Sequence, residues 1–271
     1  IVGVEAWVRR DGEPARLVLL CQNLAGYRHL TRLVSRGYLE GQQRGVPVID
    51  YGWLRGNTDG LIALSAGREG ELGQALLNDR PDQARAWLAE WRELFPERFY
   101  LEVQRTGRPQ EEQYLEAALD LAVATGTPVV ATNEVCFLQR EDFEAHEARV
   151  CIHEGATLDD PRRPRRYSDQ QYLRTPVEMA ELFADLPEAL ENSVEIARRC
   201  NLRLDLGKNV LPDFPVPEGM TADAYFSAQA RAGLERRLPR LFDPAAPDFA
   251  ERRRPYDERL ETELKVIIQM G

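Results

Sequence analysis

Short apolar runs recur through the first half of the chain, and the stretches between them carry helical periodicity. The runs are "IVGVEAWV" (residues 1–8), "ARLVLLCQ" (15–22), "GLIALSAG" (60–67), "RFYLEVQ" (98–104) and "PVVAT" (128–132). Between them, Tyr27, Leu30, Val34 and Tyr38 fall on one helical face, and "QARAWLAEWRELF" reads as an amphipathic helix. The clearest unit follows residue 108. Pro109 suits a first helical position, Glu111 and Glu112 suit the first turn, and Leu115, Ala118, Leu119 and Ala122 form an apolar stripe closed by Gly126. Strand and helix alternating at these lengths predict βα units around a parallel sheet or barrel.

After about residue 150 the strands stop. "LDDPRRPRRYS" (158–168) reads as a loop. Thr175, Pro176 and Glu178 spell a capping box that starts a helix, and "PEALENSVEIARRCN" predicts a second one. A proline-rich stretch at 205–220 is the expected domain boundary, and two further helical segments follow it. "GREGELG" (67–73) is spaced like a phosphate cradle but lacks a following Lys-Ser or Lys-Thr, so a tight strand-to-helix turn is expected.

Composition narrows the function classes. A net charge of -10 disfavours non-specific DNA binding by the chain as a whole. No apolar run approaches membrane-spanning length and no signal peptide is visible. The four cysteines, Cys21, Cys136, Cys151 and Cys200, form no CxxC pair, which points to free thiols in a reducing cytoplasm. The Ile1-Val2-Gly3 start resembles an activated trypsin-like protease, but no Gly-Asp-Ser-Gly segment follows. An apolar strand at the very start and an apolar helical pattern running to Met270-Gly271 suggest that both ends are cut edges of a longer protein.

Three carboxylates, Glu5, Glu102 and Glu134, lie at strand ends. They converge on one rim if those strands are parallel neighbours, a setting for a divalent metal or for acid–base chemistry. A zinc or manganese cluster also calls for imidazole, and the chain holds only His29, His146 and His153. His146-Glu147 lacks the second histidine of HExxH, since position 150 is Val150. Arg162, Arg163, Arg165 and Arg166 are candidate phosphate contacts or, more simply, a solvated loop.

Taken together, "IVGVEAWV", "RLVLLCQNLAGYRHLTRLVSRGYLEG", "FYLEVQRTGRP", "PVVATNEVCFLQREDFEAHEARVCI", "YLRTPVEMAELFADLPEALENSVEIARRCN" and "YDERLETELKVIIQMG" resemble the alpha subunit family of bacterial DNA polymerase III in its proteobacterial form. The resemblance implies an α/β fold: an incomplete, distorted βα barrel (TIM-like, PHP-type) followed by a helical segment leading toward the polymerase palm. It implies a PHP (polymerase and histidinol phosphatase) domain over 1–205 lacking its N-terminal strands, and linker and helices over 206–271. Metal-keeping PHP domains draw ligands from strand ends. By that pattern Glu5 and Glu134 keep carboxylates, whereas Arg16, Thr106 and Cys136 stand where histidines are usual. The resemblance therefore implies a vestigial metal site, with Glu5 and Glu134 as weak remaining candidates and Arg16 opposing a cation or pairing with Glu5 or Glu134. It implies no cofactor here, Mg2+ at the parent's palm, and a parent that copies DNA from deoxynucleotides. The implied partners are the palm and thumb in cis and the proofreading exonuclease subunit, with no membrane. A metal-dependent phosphoesterase and a DNA-binding module are the alternatives.

Overall fold

A computed structural model of the chain describes residues 1–209 and 214–270. Part of the proline-rich stretch at 205–220 therefore lies outside the described residues. The chain divides into two compact units, Ile1–Leu204 and Asp205–Gly271.

The first unit opens with β1 (Gly3–Arg9) and β2 (Ala15–Cys21), then α1 (Leu24–Glu40), β3 (Gln42–Gln43), β4 (Val46–Asp50) and β5 (Leu61–Leu64). It continues through α2 (Glu71–Leu77), α3 (Pro81–Leu94), β6 (Phe99–Val103), α4 (Glu111–Thr125) and β7 (Val129–Ala131). Helices α5 (Phe143–Glu154), α6 (Pro176–Leu182) and α7 (Pro187–Arg199) complete it. The seven strands form one sheet in the order β3-β4-β1-β2-β5-β6-β7, a partial TIM-like barrel.

The sheet is mixed rather than purely parallel. β5, β6 and β7 are parallel neighbours, and β4 is parallel to β1, but β2 runs antiparallel to both β1 and β5. The reason is the connection. Only residues 10–14 separate β1 from β2, too few for a crossover, so the chain turns back as a hairpin. Gly12 supplies the positive φ (87°) that this turn uses. β3 and β4 escape the sequence patterns above, because "GQQRGVPVID" interleaves glycine and proline with its few apolar residues.

Both faces of the central strands are buried. Leu61, Ala63, Phe99, Leu101, Val129 and Ala131 join the larger core with α1, α3 and α4. Their alternates Ile62, Leu64, Tyr100 and Val130 pack with Ile196 of α7 on the other face. Period-two alternation between two apolar layers explains why β5 reads as an unbroken apolar run and β6 as one broken only by Glu102. Helix α7 also serves the sheet's edge: Asn192 Nδ2 donates to the carbonyl of Val129 in β7 at 2.8 Å.

Two helix readings change. In α1 the buried positions are Gly26, Leu30, Leu33 and Gly37, while Tyr38 is exposed, so the core face lies a step away from the expected one. Gly26 is required by contact: a Cβ there would sit 1.8 Å from the carbonyl oxygen of Gly60. In α4, Pro109 precedes the helix, and Gln110 is its N-cap in a left-handed conformation (φ 64°). Gly126 closes α4 with φ 63°, as expected.

The capping box of α6 is present in full. Thr175 Oγ1 accepts from the Glu178 amide at 3.3 Å, and the Glu178 carboxylate accepts from the Thr175 amide at 2.7 Å. Tyr172 anchors the same carboxylate through a 2.6 Å bond from its hydroxyl. Thr175→Ala is expected to cost about 1 kcal/mol of stability, the usual worth of an N-cap, measured as a shift in urea midpoint with unchanged slope.

The second unit contains α8 (Ala222–Leu241) and α9 (Phe249–Met270). Arg231 pairs with Glu261 at 2.8 Å, and Arg253 pairs with Glu235, tying the two helices together.

Candidate functional site

Strand register decides which side chains meet. In the β1–β2 hairpin, Glu5 lies opposite Val18 and Trp7 opposite Arg16, so these four share one face. Val18 in turn lies opposite Leu64 of β5, and Glu102 of β6 lies beside Val130 of β7. The turns after β5 and β7 then bring Glu69 and Glu134 to the same rim. The result is a cavity of about 270 Å³ lined by Glu5, Glu69, Glu102, Gln104, Thr132 and Glu134. The expected convergence of Glu5, Glu102 and Glu134 is present. Glu69 is an addition.

Two guanidiniums occupy this carboxylate ring. Arg16 reaches Glu5 at 2.5 Å and Glu69 at 3.1 Å. Arg108, almost wholly buried, pairs with Glu134 and lies 3.6 Å from Glu69 and 3.7 Å from Glu111. It also donates from Nε to Thr106 Oγ1 (2.9 Å) and from Nη2 to Gln104 Oε1 (2.8 Å). Arg16 thus pairs with one of its two expected partners, Glu5, while Glu134 is taken by Arg108. Nothing in "RTGRP" marks Arg108 as special; its role depends on the chain folding back at Gly107 (φ 72°).

Residues 1–106 match the PHP domain family. Over its whole length the chain is similar to DNA polymerase III subunit alpha of Pseudomonas aeruginosa (56% identity) and of Escherichia coli K12 (51% identity). Over 96% of its length it is 52% identical to the Vibrio cholerae protein of the same name. The chain spans about 23% of the length of the first two relatives and 22% of the third.

Around the cavity the carboxylates are unequal. Glu102 is buried; Thr132 donates to its Oε1 at 2.6 Å, and among the described residues its Oε2 has no hydrogen-bond partner. Burial raises its pKa to about 7, and the nearby charges of Glu5 and Glu134 add to the rise. Glu134 is also raised by burial, against the pull of Arg108, and its backbone is left-handed (φ 42°). A residue other than glycine in that region marks local strain held by its surroundings.

The remaining predicted positions lie off the cavity wall. Thr106 is fully buried and donates to Glu111 Oε1 at 2.7 Å. Glu111 also accepts from the amides of Thr106 and Gly107, so it pins this loop besides facing the helix dipole. The Cys136 sulfur lies 3.4 Å from the Glu134 carbonyl, and its amide donates to Gln171 O at 2.8 Å. Burial pushes the Cys136 thiol up, away from the thiolate a metal would need.

The histidines stand apart. His146 is packed between the rings of Phe137 and Tyr167, and burial lowers its pKa. His29 lies 3.2 Å from Asn57, and His153 is exposed. Among the described residues no three His, Cys, Asp or Glu side chains are set to hold one ion. The cavity therefore offers carboxylates without imidazole, several of their oxygens already engaged by arginine, which does not fit a zinc or manganese cluster.

The arginine loop divides. Arg163 turns inward, buried against Glu147 at 2.5 Å, which removes it from the exposed cluster of candidate phosphate contacts. Arg162 pairs with Asp160 at 3.3 Å and Arg166 with Glu154 at 3.0 Å. Arg165 is exposed and has no ion-pair partner among the described residues. The "GREGELG" segment is a tight turn, where a Cβ at Gly70 would meet the Ser65 carbonyl oxygen at 1.7 Å. Among the described residues no helix is long and apolar enough to cross a membrane.

Proposed function

We propose that the chain is part of the alpha subunit of a replicative DNA polymerase, in which the PHP domain is a non-catalytic scaffold that has exchanged its metal for arginine. Similarity along the whole chain supports the polymerase reading. On that reading the intact protein performs template-directed DNA synthesis from deoxynucleotides in the cytoplasm, with Mg2+ at its palm. The PHP domain packs against palm and thumb and offers a surface to the proofreading exonuclease subunit.

The observation that carries the scaffold role is the pairing of Arg16 and Arg108 with the rim carboxylates. A fixed guanidinium satisfies a carboxylate as a cation does, but it lends no Lewis acidity and lowers no water pKa. Elemental analysis of the purified chain after dialysis against trace zinc and manganese should find metal at background only, with no hydrolysis of a phosphomonoester such as p-nitrophenyl phosphate. Stoichiometric metal together with hydrolysis would restore the phosphoesterase reading. Co-sedimentation with the exonuclease subunit tests the docking role separately.

A further inference from the structure

Next to the carboxylate cavity lies a second, larger cleft of about 500 Å³. Its walls come from separate segments: Trp7 of β1, Arg68 in the turn before α2, Gln110 before α4, and Arg165 and Arg166 of the arginine loop. Glu69 is the partition shared with the acidic cavity, since it lines both.

The charge of this cleft runs against that of the chain. Its lining holds three arginines and one carboxylate, in a protein of net charge -10. That carboxylate, Glu69, is already held by Arg16 at 3.1 Å, with Arg108 at 3.6 Å and Arg68 at 3.7 Å. Arg68 donates to the Pro109 carbonyl at 3.1 Å, and its buried Nε has no partner among the described residues. Arg165 is exposed with its charge unpaired, and Gln110 is held in a left-handed conformation at the cleft wall. Arg166 shares its charge with Glu154 at 3.0 Å, so Arg165 is the cleft's free guanidinium among the described residues; arginines gathered on a concave surface favour an anion with several acceptor oxygens.

We propose that this cleft binds a nucleoside monophosphate, with Arg68, Arg165 and Arg166 on the phosphate and the Trp7 indole against the base. The volume exceeds what a phosphate ion alone fills and lies in the range of small-molecule sites. Trp7 lines the cleft with the Arg16 guanidinium 5.1 Å from its ring centroid, and an aromatic plane is what a base stacks on. A duplex is disfavoured by the concave shape and by the negative charge of the surrounding chain. The site is distinct from the carboxylate cavity, and the inference does not depend on the polymerase reading.

The test is isothermal titration of the chain with thymidine 5′-monophosphate at low salt, beside titrations with inorganic phosphate and with thymidine. Saturable binding of the monophosphate is expected, tighter than that of phosphate or nucleoside alone. Arg165→Glu, an exposed change, should weaken it at least tenfold, while Arg162→Glu, outside the cleft, should leave it unchanged. Trp7→Ala should weaken the monophosphate and spare inorganic phosphate. A 5′-phosphorylated oligothymidylate separates the two sources of this chemistry: tighter binding with the same Arg165 dependence points to a strand end, weaker binding to the free nucleotide. Absence of saturable binding at millimolar monophosphate, equal affinity for inorganic phosphate, or indifference to Arg165→Glu would each overturn the assignment.

Discussion

Replacing Arg108 with alanine should lower the free energy of unfolding by about 3–5 kcal/mol, the usual cost of removing one partner from a buried ion pair. Its guanidinium is almost wholly buried and faces Glu134, with Glu69 and Glu111 within 4 Å. Removal leaves Glu134 and Glu111 without their cation, while Glu69 keeps Arg16, and Thr106 Oγ1 and Gln104 Oε1 each lose a donor. Arg16→Ala, at a side chain about one-third exposed, should cost only about 1 kcal/mol. Urea unfolding of both variants measures the contrast. Adding Glu134→Gln to Arg108→Ala should recover part of the loss, since it removes one of the stranded charges. Additive losses in the double variant would show that Arg108 acts by packing rather than by charge.

Glu102→Gln should have the opposite effect, and one that depends on pH. The folded-state pKa of Glu102 is about 7, against an ordinary value of 4.5. Below pH 4.5 the group is protonated folded and unfolded, and its titration adds nothing to stability. Between 4.5 and 7 the folded state retains a proton that the unfolded state has released, so stability falls as pH rises; above 7 the loss levels off. At pH 8 the accumulated penalty is on the order of 3 kcal/mol, from the rise of the pKa from 4.5 to about 7. Glutamine keeps the acceptor for Thr132 and cannot ionise. The variant should therefore gain up to that amount at pH 8 and almost nothing at pH 4.5. Unfolding curves at the two pH values decide it: equal gains at both would mean that Glu102 is not the titrating group.

The fold was legible where local chemistry repeats. The strand runs, the α4 stripe and the Thr175 capping box each follow from side-chain period or from a named backbone bond. The β1–β2 hairpin was legible in principle from its short connection, yet alternation alone suggested a parallel sheet. At the site, Glu5, Glu102 and Glu134 could be named as the carboxylates in or just after apolar runs, although Glu5 lies inside β1 rather than at its end. Arg108 could not, because its five partner side chains span residues 69–134 and meet only after β5, β6 and β7 are paired. Arg163 misled in the other direction: in sequence it is one of four loop arginines, and only the fold shows that Glu147 of α5 draws it inside.

The bond from Asn192 to Val129 also has a temporal side. β7 is the last strand of the sheet, and the cover for its outer carbonyl is borne by α7, about sixty residues farther along the chain. On a ribosome adding roughly 5–20 residues per second, that edge stays bare for roughly 3–12 s after β7 is made. A nascent chain in this interval presents an uncapped strand whose natural mistaken partner is the same strand of a neighbouring nascent chain. Synonymous changes that slow translation across residues 132–192 should therefore increase aggregation without altering the finished protein.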